Sequence, residues 1–394
     1  MTQPIYLDHN ASTPTDPFVI ERMISSMRAH VANASSVDHA WGNAAHQAVE
    51  TARSNIAARL GARPSDLVFT SGATEANNIA IRGAFRAGSS ANRRQILTAA
   101  SEHPSVLQTV LSLEAEGAEV VVLPVDEEGR IDLKEFRAAL VRETALVTIM
   151  GANNETGVIH PAAEIAAICA EAGVPYHCDL TQLAAHLPVD LSALGVTLAS
   201  LSGHKMYGPR GIGILFARSR RPRARLVPSS TGGGQERGLR PGTLNTEAIL
   251  GMEAAFDRRA DWLPGISELE SKRDALQQAL ISIPGLNING GAAPRIPNTL
   301  NVSIAGVDPH ALQHRLRDQL IFSTGSACAT DKVHSSTVLS AMFGPSDRTR
   351  TGFRLGLGVA TSDADVARAA ELIKAGVSML RSGQMGALNE VVSA

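Results

Sequence analysis

One polar loop near the start of the chain has the composition of an anion-binding site. The segment Thr70-Ser71-Gly72-Ala73-Thr74-Glu75 follows a predicted strand and opens a predicted helix. Its small residues would let backbone N–H groups and the Thr74 hydroxyl approach an anion, and the helix dipole favours a phosphate there. A plain helix N-cap has the same composition. The loop alone therefore predicts either a cap or a phosphate site.

A carboxylate and an amine follow two further predicted strands. Asp179 comes directly after the strand predicted over residues 174–178, and Lys205 follows the one over 198–202. Open α/β sheets bind ligands at the carboxyl ends of their strands. There Asp179 could hold a ring nitrogen protonated or cap a helix, and Lys205 could form a Schiff base or remain a solvated charge. Together with the phosphate-type loop, these groups are what pyridoxal 5'-phosphate requires.

A histidine and a cysteine complete the set of reactive side chains. His103 follows another predicted strand, where a ring of near-neutral pKa could stack on a planar cofactor and move protons, or lie on the surface. Cys328 lies in a run of small residues, where an exposed thiol would be a usable nucleophile and a buried one would be inert. Cys169 and Cys178 fall in an apolar helix face and a strand, so we expect both in the core.

Strands separated by helices predict the frame that would hold these residues. Short β-branched runs alternate with helical periods such as that of residues 43–60. This alternation predicts right-handed crossovers and a mostly parallel sheet. After a break at Leu263-Pro264-Gly265 the pattern changes to that of a smaller α+β unit. We therefore expect an α/β fold in two domains: a large one over 15–260, and a small one over 1–14 and 261–394 that carries Cys328.

Composition and charge exclude several functional classes. With 36 basic and 38 acidic side chains the net charge is −2, which gives no overall field to recruit nucleic acid or an anionic membrane. The arginines between 218 and 225 therefore predict a solvated or interface loop. Phosphate-loop, dinucleotide-binding and zinc-hydrolase motifs do not occur in the sequence, and we expect no metal site. Three scattered cysteines, no apolar run of about 20 residues and no signal-peptide start predict a cytoplasmic protein.

A series of short motifs runs along nearly the whole length of the chain. They are Tyr6-Leu7-Asp8-His9-Asn10-Ala11-Ser12-Thr13-Pro14, Ser35-Ser36-Val37-Asp38-His39, the Thr74 loop, Glu102-His103, Asn153-Asn154-Glu155-Thr156-Gly157, Asp179-Leu180-Thr181-Gln182, residues 202–209, 232–237, 240–243 and 325–328, and Arg354. In these motifs the chain resembles the cysteine desulfurases, which are pyridoxal-phosphate enzymes of the class V aminotransferase family and have the fold type I architecture. The segment after Cys328 resembles the subgroup with a long, flexible cysteine loop, although residues 329–334 and 383–394 depart from the family's loop and scaffold-binding tail.

The resemblance implies a role for residues in several of these motifs. Lys205 would form the Schiff base with pyridoxal phosphate, and His103 would stack on the ring and relay protons. Asp179 would pair with the ring nitrogen and Gln182 with the phenolate oxygen. The remaining contacts would be Ala73, Thr74, Ser202 and His204 on the phosphate, Thr243 on the phosphate from the partner subunit of a homodimer, Asn154 on cofactor and substrate, and Arg354 on the substrate carboxylate.

The reaction implied by the resemblance converts L-cysteine to L-alanine. Cys328 would take the sulfur as a persulfide and pass it to an acceptor, such as an iron–sulfur scaffold or a thiolation protein. The same residue would be, at most, a transient ligand of an iron–sulfur cluster. Two alternatives stay open: a selenocysteine lyase or aminotransferase of the same fold, and a catalytically quiet binding protein on the same scaffold.

Overall fold

The computed structural model describes residues 3–89, 91–220, 223–325 and 336–383. Cys328 lies outside these residues. The described chain forms these strands: β1 Ile5–Tyr6, β2 Leu67–Thr70, β3 Gln95–Ala99, β4 Glu119–Leu123, β5 Thr144–Thr148, β6 Tyr176–Asp179, β7 Leu198–Ser202, β8 Gly213–Ala217, β9 Leu286–Ile288, β10 Thr299–Ile304, β11 Leu320–Ile321 and β12 Gly352–Gly356.

The α-helices lie between these strands along most of the chain. They are α1 Pro17–Ala29, α2 Ala40–Arg59, α3 Ala73–Ser89, α4 Pro104–Ser112, α5 Leu133–Ala139, α6 Ala162–Ala172, α7 Leu183–His186, α8 Leu191–Leu194, α9 Thr246–Trp262, α10 Ile266–Leu280, α11 Pro309–Leu316, α12 Thr337–Phe343, α13 Asp347–Arg350 and α14 Asp363–Arg381. Within the described part of the chain, no helix is both long and apolar enough to cross a bilayer.

A seven-stranded sheet in the order β2-β8-β7-β6-β5-β3-β4 is the centre of the first 220 residues. Strand β8 runs antiparallel to its neighbours β2 and β7, and the other four pairings are parallel. The predicted α/β fold with a mostly parallel sheet is confirmed. Because β2, β3, β5, β6 and β7 run in the same direction, their carboxyl ends meet at one edge.

Helices cover both faces of this sheet, which explains why its strands are apolar at almost every position. Successive residues enter opposite cores: Ile96 and Leu146 face one side, and Leu97 and Val147 face the other. Helices α3 and α4 pack side by side on the face of Ile96. The residues that follow β2 and β3 are therefore brought close to those that follow β6 and β7.

A second core forms around a three-stranded antiparallel sheet in the order β12-β10-β9. Leu7, from the segment after β1, is buried in this core with Leu300, Phe353 and Ile373. Strand β1 pairs in parallel with β11, so the N-terminal residues join the C-terminal part of the chain. We propose, on the basis of these two cores, the division into domains 15–260 and 1–14 with 261–394.

Candidate active site

A cavity of about 490 Å³ opens at the carboxyl edge of the large sheet. Its size suits a cofactor or a small-molecule ligand. A more open groove of about 700 Å³ lies around Arg53 and Glu236 and holds none of the sequence-predicted site residues, so size alone does not locate the site. The sequence-predicted residues that line the smaller cavity are Ala73, Thr74, His103, Asn154, Asp179, Gln182, Ser202, His204, Lys205 and Arg354.

The phosphate-type loop becomes the N-terminus of a long helix at the cavity wall. Helix α3 begins at Ala73 and runs for 17 residues, so its positive dipole end faces the cavity. Strand β8 approaches this loop closely, because a Cβ built on Gly213 would lie 2.6 Å from the Gly72 backbone. Glycine at 213 therefore allows β8 to pass the loop. The structure places Ala73 and Thr74 where an anion would benefit from the helix end.

Asp179 ends strand β6 as a buried carboxylate with two donors. Its Oδ1 accepts the backbone N–H of Thr181 at 2.9 Å, and its Oδ2 accepts the side-chain amide of Asn77 at 2.8 Å. Neither contact is a cation. The carboxylate is held in a fixed orientation at the cavity wall, as a partner for a protonated ring nitrogen would need to be.

His103 is both the N-cap of α4 and a wall of the cavity. Its Nδ1 accepts the backbone N–H of Ser105 at 3.1 Å and lies 2.7 Å from the Ser105 hydroxyl. Because a backbone N–H can only donate, the proton of the neutral ring is on Nε2. Burial lowers the pKa of His103, the nearby Asp179 partly opposes this, and Lys205 lowers the pKa further.

Lys205 lies in a turn directly after β7, where the N-terminal segment holds its amine. The Nζ atom donates to the carbonyl oxygens of Asn10 and Ala11, the latter at 2.8 Å. Gln182 Nε2 donates to the same Asn10 carbonyl at 3.0 Å. The Asn10 side chain is itself bonded to Thr299 at 2.7 Å, in β10 of the second core. The sequence motif that contains Asn10 does not by itself indicate these contacts.

His204, next to Lys205, is held as a neutral ring. Burial lowers its pKa to about 4, and the positive charges of Lys205 and Arg210 add to the effect. Its Nδ1 lies 3.2 Å from the Ser12 hydroxyl. A neutral imidazole can still donate one N–H to a phosphate oxygen.

Arg354 and Asn154 have polar atoms that are left for a ligand. Arg354 Nη1 donates to the Asn154 carbonyl at 2.8 Å, and Nη2 donates to Asp8 Oδ1 at 2.7 Å. Arg354 Nε and Asn154 Oδ1 are buried without a hydrogen-bond partner among the described residues. Buried polar atoms are nearly always paired, so the cavity suits a polar ligand that offers Arg354 Nε an acceptor, such as a carboxylate, and offers Asn154 Oδ1 a donor.

One predicted site residue lies outside this cavity, and another falls outside the described residues. Thr243 is exposed and does not line it, and its expected role in a partner subunit stays a prediction. Cys328 lies outside the described residues, but the flanks of its segment are described. Ser323 pairs through its backbone with Arg354, and the Ser336 hydroxyl donates to Glu155, next to Asn154. Both flanks therefore adjoin residues expected to bind substrate.

The family of the chain follows from comparison with known proteins. The model of the aminotransferase class-V family matches residues 5–368. The chain belongs to this family. This membership confirms the resemblance drawn from the short motifs of the sequence.

Family members named as cysteine desulfurases align along the whole chain. The chain is 42% identical over 397 residues to cysteine desulfurase IscS of Anaeromyxobacter dehalogenans, an alignment that covers 100% of this chain and 96% of that protein. Among solved structures, a NifS-like protein matches with a TM-score of 0.88 and 32% identity, over 96% of this chain and 100% of the other. The structure of SspA in complex with cysteine matches with a TM-score of 0.78 and 33% identity, over 90% and 99% of the two chains.

Proposed function

We propose that this chain is a cysteine desulfurase that works with pyridoxal 5'-phosphate in the 490 Å³ cavity. The activity follows from the full-length likeness to enzymes of that name. One observation carries the assignment of the site: Lys205, Asp179, His103 and the N-terminus of α3 line the same cavity as Arg354. The substrate would be L-cysteine, and the similar SspA structure is a complex with cysteine.

The residues present fit the cofactor group by group. When bound, pyridoxal phosphate would supply the electron sink for charge that develops at the substrate Cα. Lys205 would hold its aldehyde carbon, and Asp179 would keep its ring nitrogen protonated. The second N–H of Gln182 Nε2 would reach the phenolate oxygen, since the first is used on Asn10. Ala73, Thr74, Ser202 and His204 would hold the phosphate.

Lys205 and His103 would handle the protons of the reaction. The lysine amine would be the base that takes the proton from the substrate Cα. His103 would exchange its proton at Nε2, because Nδ1 is occupied by Ser105. Its pKa, lowered by burial, keeps the ring neutral at pH 7. Arg354 would orient the substrate by its carboxylate.

Cys328 would receive the sulfur atom. Its thiolate would attack the sulfur of the substrate, the bond between that sulfur and Cβ would break, and the sulfur would stay on Cys328 as a persulfide while L-alanine leaves. Ser323 and Ser336 anchor the two flanks of its segment beside the substrate-binding residues. The proposal also includes a cytoplasmic homodimer, with Thr243 at the partner's phosphate, and transfer of sulfur to an acceptor protein such as an iron–sulfur scaffold.

This function can be tested by measuring the visible absorption of the purified protein and the products that it forms. We expect a visible absorption band, and L-alanine with sulfide from L-cysteine in the presence of a thiol reductant. Lys205→Ala should remove the band, whereas Cys328→Ala should keep the band and lose sulfur release. A colourless wild type would refute the cofactor. A Cys328→Ala variant that still releases selenide from selenocysteine at the wild-type rate would favour the lyase instead.

A further inference from the structure

Asn77 connects two of the expected cofactor contacts through a buried chain of hydrogen bonds. This residue lies on α3, is completely buried and does not line the cavity. Its amide nitrogen donates to Asp179 Oδ2 at 2.8 Å and to Ser105 Oγ at 2.8 Å. Ser105 Oγ in turn lies 2.7 Å from His103 Nδ1. These hydrogen bonds therefore connect Asp179, the expected partner of the cofactor's ring nitrogen, with His103, whose ring is expected to stack on the cofactor.

Each hydrogen bond in this series has a fixed donor and a fixed acceptor. An amide nitrogen carries two hydrogens, so Asn77 uses both on Asp179 and Ser105. Ser105 Oγ receives one of them, which leaves its own hydrogen to donate to His103 Nδ1. The same nitrogen accepts the Ser105 backbone N–H at 3.1 Å. A hydroxyl that accepts one hydrogen bond becomes a stronger donor, so Asn77 strengthens a bond to a ring that it does not itself contact by a hydrogen bond.

We propose that Asn77 and Ser105 are positioning residues that orient the Asp179 carboxylate and hold the ring proton of His103 on Nε2. The proposal rests on the proposed function, because that function assigns Asp179 and His103 to the cofactor. Helices α3 and α4 pack side by side beneath the carboxyl edge of the sheet, and this packing brings the two residues together. The two expected contacts of the cofactor ring are thus coupled to each other through protein hydrogen bonds.

Cofactor affinity provides the first test. Asn77→Leu, Ser105→Ala and the double variant would be titrated as apoproteins with pyridoxal phosphate, with binding followed by visible absorption. We expect Asn77→Leu to weaken binding by about 10-fold, because a buried carboxylate oxygen loses its donor. Ser105→Ala should weaken binding of the cofactor less than Asn77→Leu does. Its effect should be smaller still when Asn77 is already replaced, because the two residues belong to the same series of hydrogen bonds.

A matched control and the opposite outcomes make this test decisive. Ser112→Ala makes the same change on the same helix, but the Ser112 hydroxyl bonds only Arg82 and the Thr109 carbonyl among the described residues. This variant should bind the cofactor like the wild type. Unchanged affinity in Asn77→Leu, or strictly additive effects in the double variant, would overturn the proposal.

The ring nitrogens of His103 provide a second test that a general loss of stability would not mimic. The full chain, loaded with cofactor and labelled with ¹⁵N-histidine, should show a protonated Nε2 and an unprotonated Nδ1, assigned by their loss in His103→Gln. Asn77→Leu should shift the Nδ1 signal. An unmoved signal would overturn the proposal, and if Asn77→Leu does not fold, Ser105→Ala must produce the shift instead. A wild type without a visible band would refute the proposed function, whereas a coloured wild type with unaffected variants would refute this inference alone.

Discussion

Arg354 donates to Asp8 Oδ1 at 2.7 Å and lies almost wholly buried beside it, with 5% of the arginine side chain and 16% of the aspartate side chain exposed. Asp8 belongs to the N-terminal segment, whereas Arg354 lies on β12, 346 residues later. Nη1 is held by the Asn154 carbonyl, and Nε has no partner in the described structure. The guanidinium is therefore fixed through two of its three nitrogens, while the hydrogen on the third nitrogen, Nε, is left for a ligand.

Asp8 should determine how well Arg354 binds substrate. We predict that Asp8→Ala raises the KM for L-cysteine by about 10-fold with a smaller change in kcat, because the guanidinium loses one of its two anchors but no reacting group is removed. Asp8→Asn keeps an oxygen that can accept from Nη2, so its KM should lie closer to that of the wild type. Steady-state alanine formation checks both variants. A fall in kcat with unchanged KM would show that Asp8 does not act through substrate binding.

Removing one partner of the buried ion pair between Arg53 and Glu236 should destabilise the large core. Glu236 accepts from both terminal nitrogens of Arg53, at 2.6 and 2.9 Å, and from the backbone N–H of Phe69 at 2.7 Å. Glu236 and Arg237 also have positive φ angles of 48° and 58°, which side-chain contacts must stabilise. Glu236→Ala should lower the free energy of unfolding by about 3–5 kcal/mol, because it removes the buried acidic partner of the Arg53 cation and leaves it with the more exposed Glu50.

A second carboxylate beside Arg53 supplies the control for that prediction. Glu50 also pairs with Arg53, but 45% of its side chain is exposed to solvent. Glu50→Ala should therefore lower the free energy of unfolding by less than about 1 kcal/mol, when both variants are unfolded in urea. Equal losses in the two variants would mean that burial does not decide the strength of these ion pairs.

The three cysteines should differ sharply in reactivity. Cys169 and Cys178 are buried, as their apolar sequence settings predicted, and burial raises the pKa of the Cys169 thiol to about 12. Burial also raises the pKa of Cys178. At pH 8 both are protonated and out of contact with solvent, so iodoacetamide should label only Cys328 in the native protein. Peptide mass spectrometry checks this, and rapid native labelling of Cys178 would contradict it.

Sequence patterns indicated which candidate residues share the cavity, because each was expected near the end of a strand. Asp179, His103 and Lys205 could be placed at one sheet edge from the alternation of strands and helices, before any distance was known. The limits of two elements differ from the predicted ones. Asp179 ends β6 rather than following it. Helix α2 begins at Ala40 rather than at residue 43, since His39 caps the helix through Nδ1, which accepts the Gly42 N–H at 3.0 Å.

Residues that act on other side chains could not be found in this way. Asn77 lies inside a helix and Asp8 lies in a motif far from Arg354, so neither pattern nor spacing indicates its partner. Only the packing of α3 on α4, and of the N-terminal segment on β12, brings these pairs together. Arg218 was expected in a solvated or interface loop, but its guanidinium donates to the backbone carbonyls of Val196 and Leu191.

Acid should destabilise the protein partly through His160. Both ring nitrogens of this residue are buried without a partner in the described residues, and burial lowers its pKa to about 4. In the unfolded chain the same side chain has a pKa near 6.5, so at a pH between these two pKa values it is protonated in the unfolded state and neutral in the folded state. The stability is fully present above pH 6.5 and is lost progressively as the pH falls toward 4. From pH 7 to pH 5, one such histidine lowers the free energy of unfolding by about 2 kcal/mol.

Replacing His160 by an apolar residue of similar size should remove this loss. His160→Leu should unfold in urea with a free energy that falls by about 2 kcal/mol less than that of the wild type between pH 7 and pH 5. Other buried histidines, such as His177 and His186, titrate in both proteins and cancel in the comparison. The same substitution at the exposed His46 supplies a matched control for the exchange of a histidine for a leucine outside the core. Parallel curves for the wild type and His160→Leu would mean that the buried ring is protonated as easily in the folded chain as in the unfolded one.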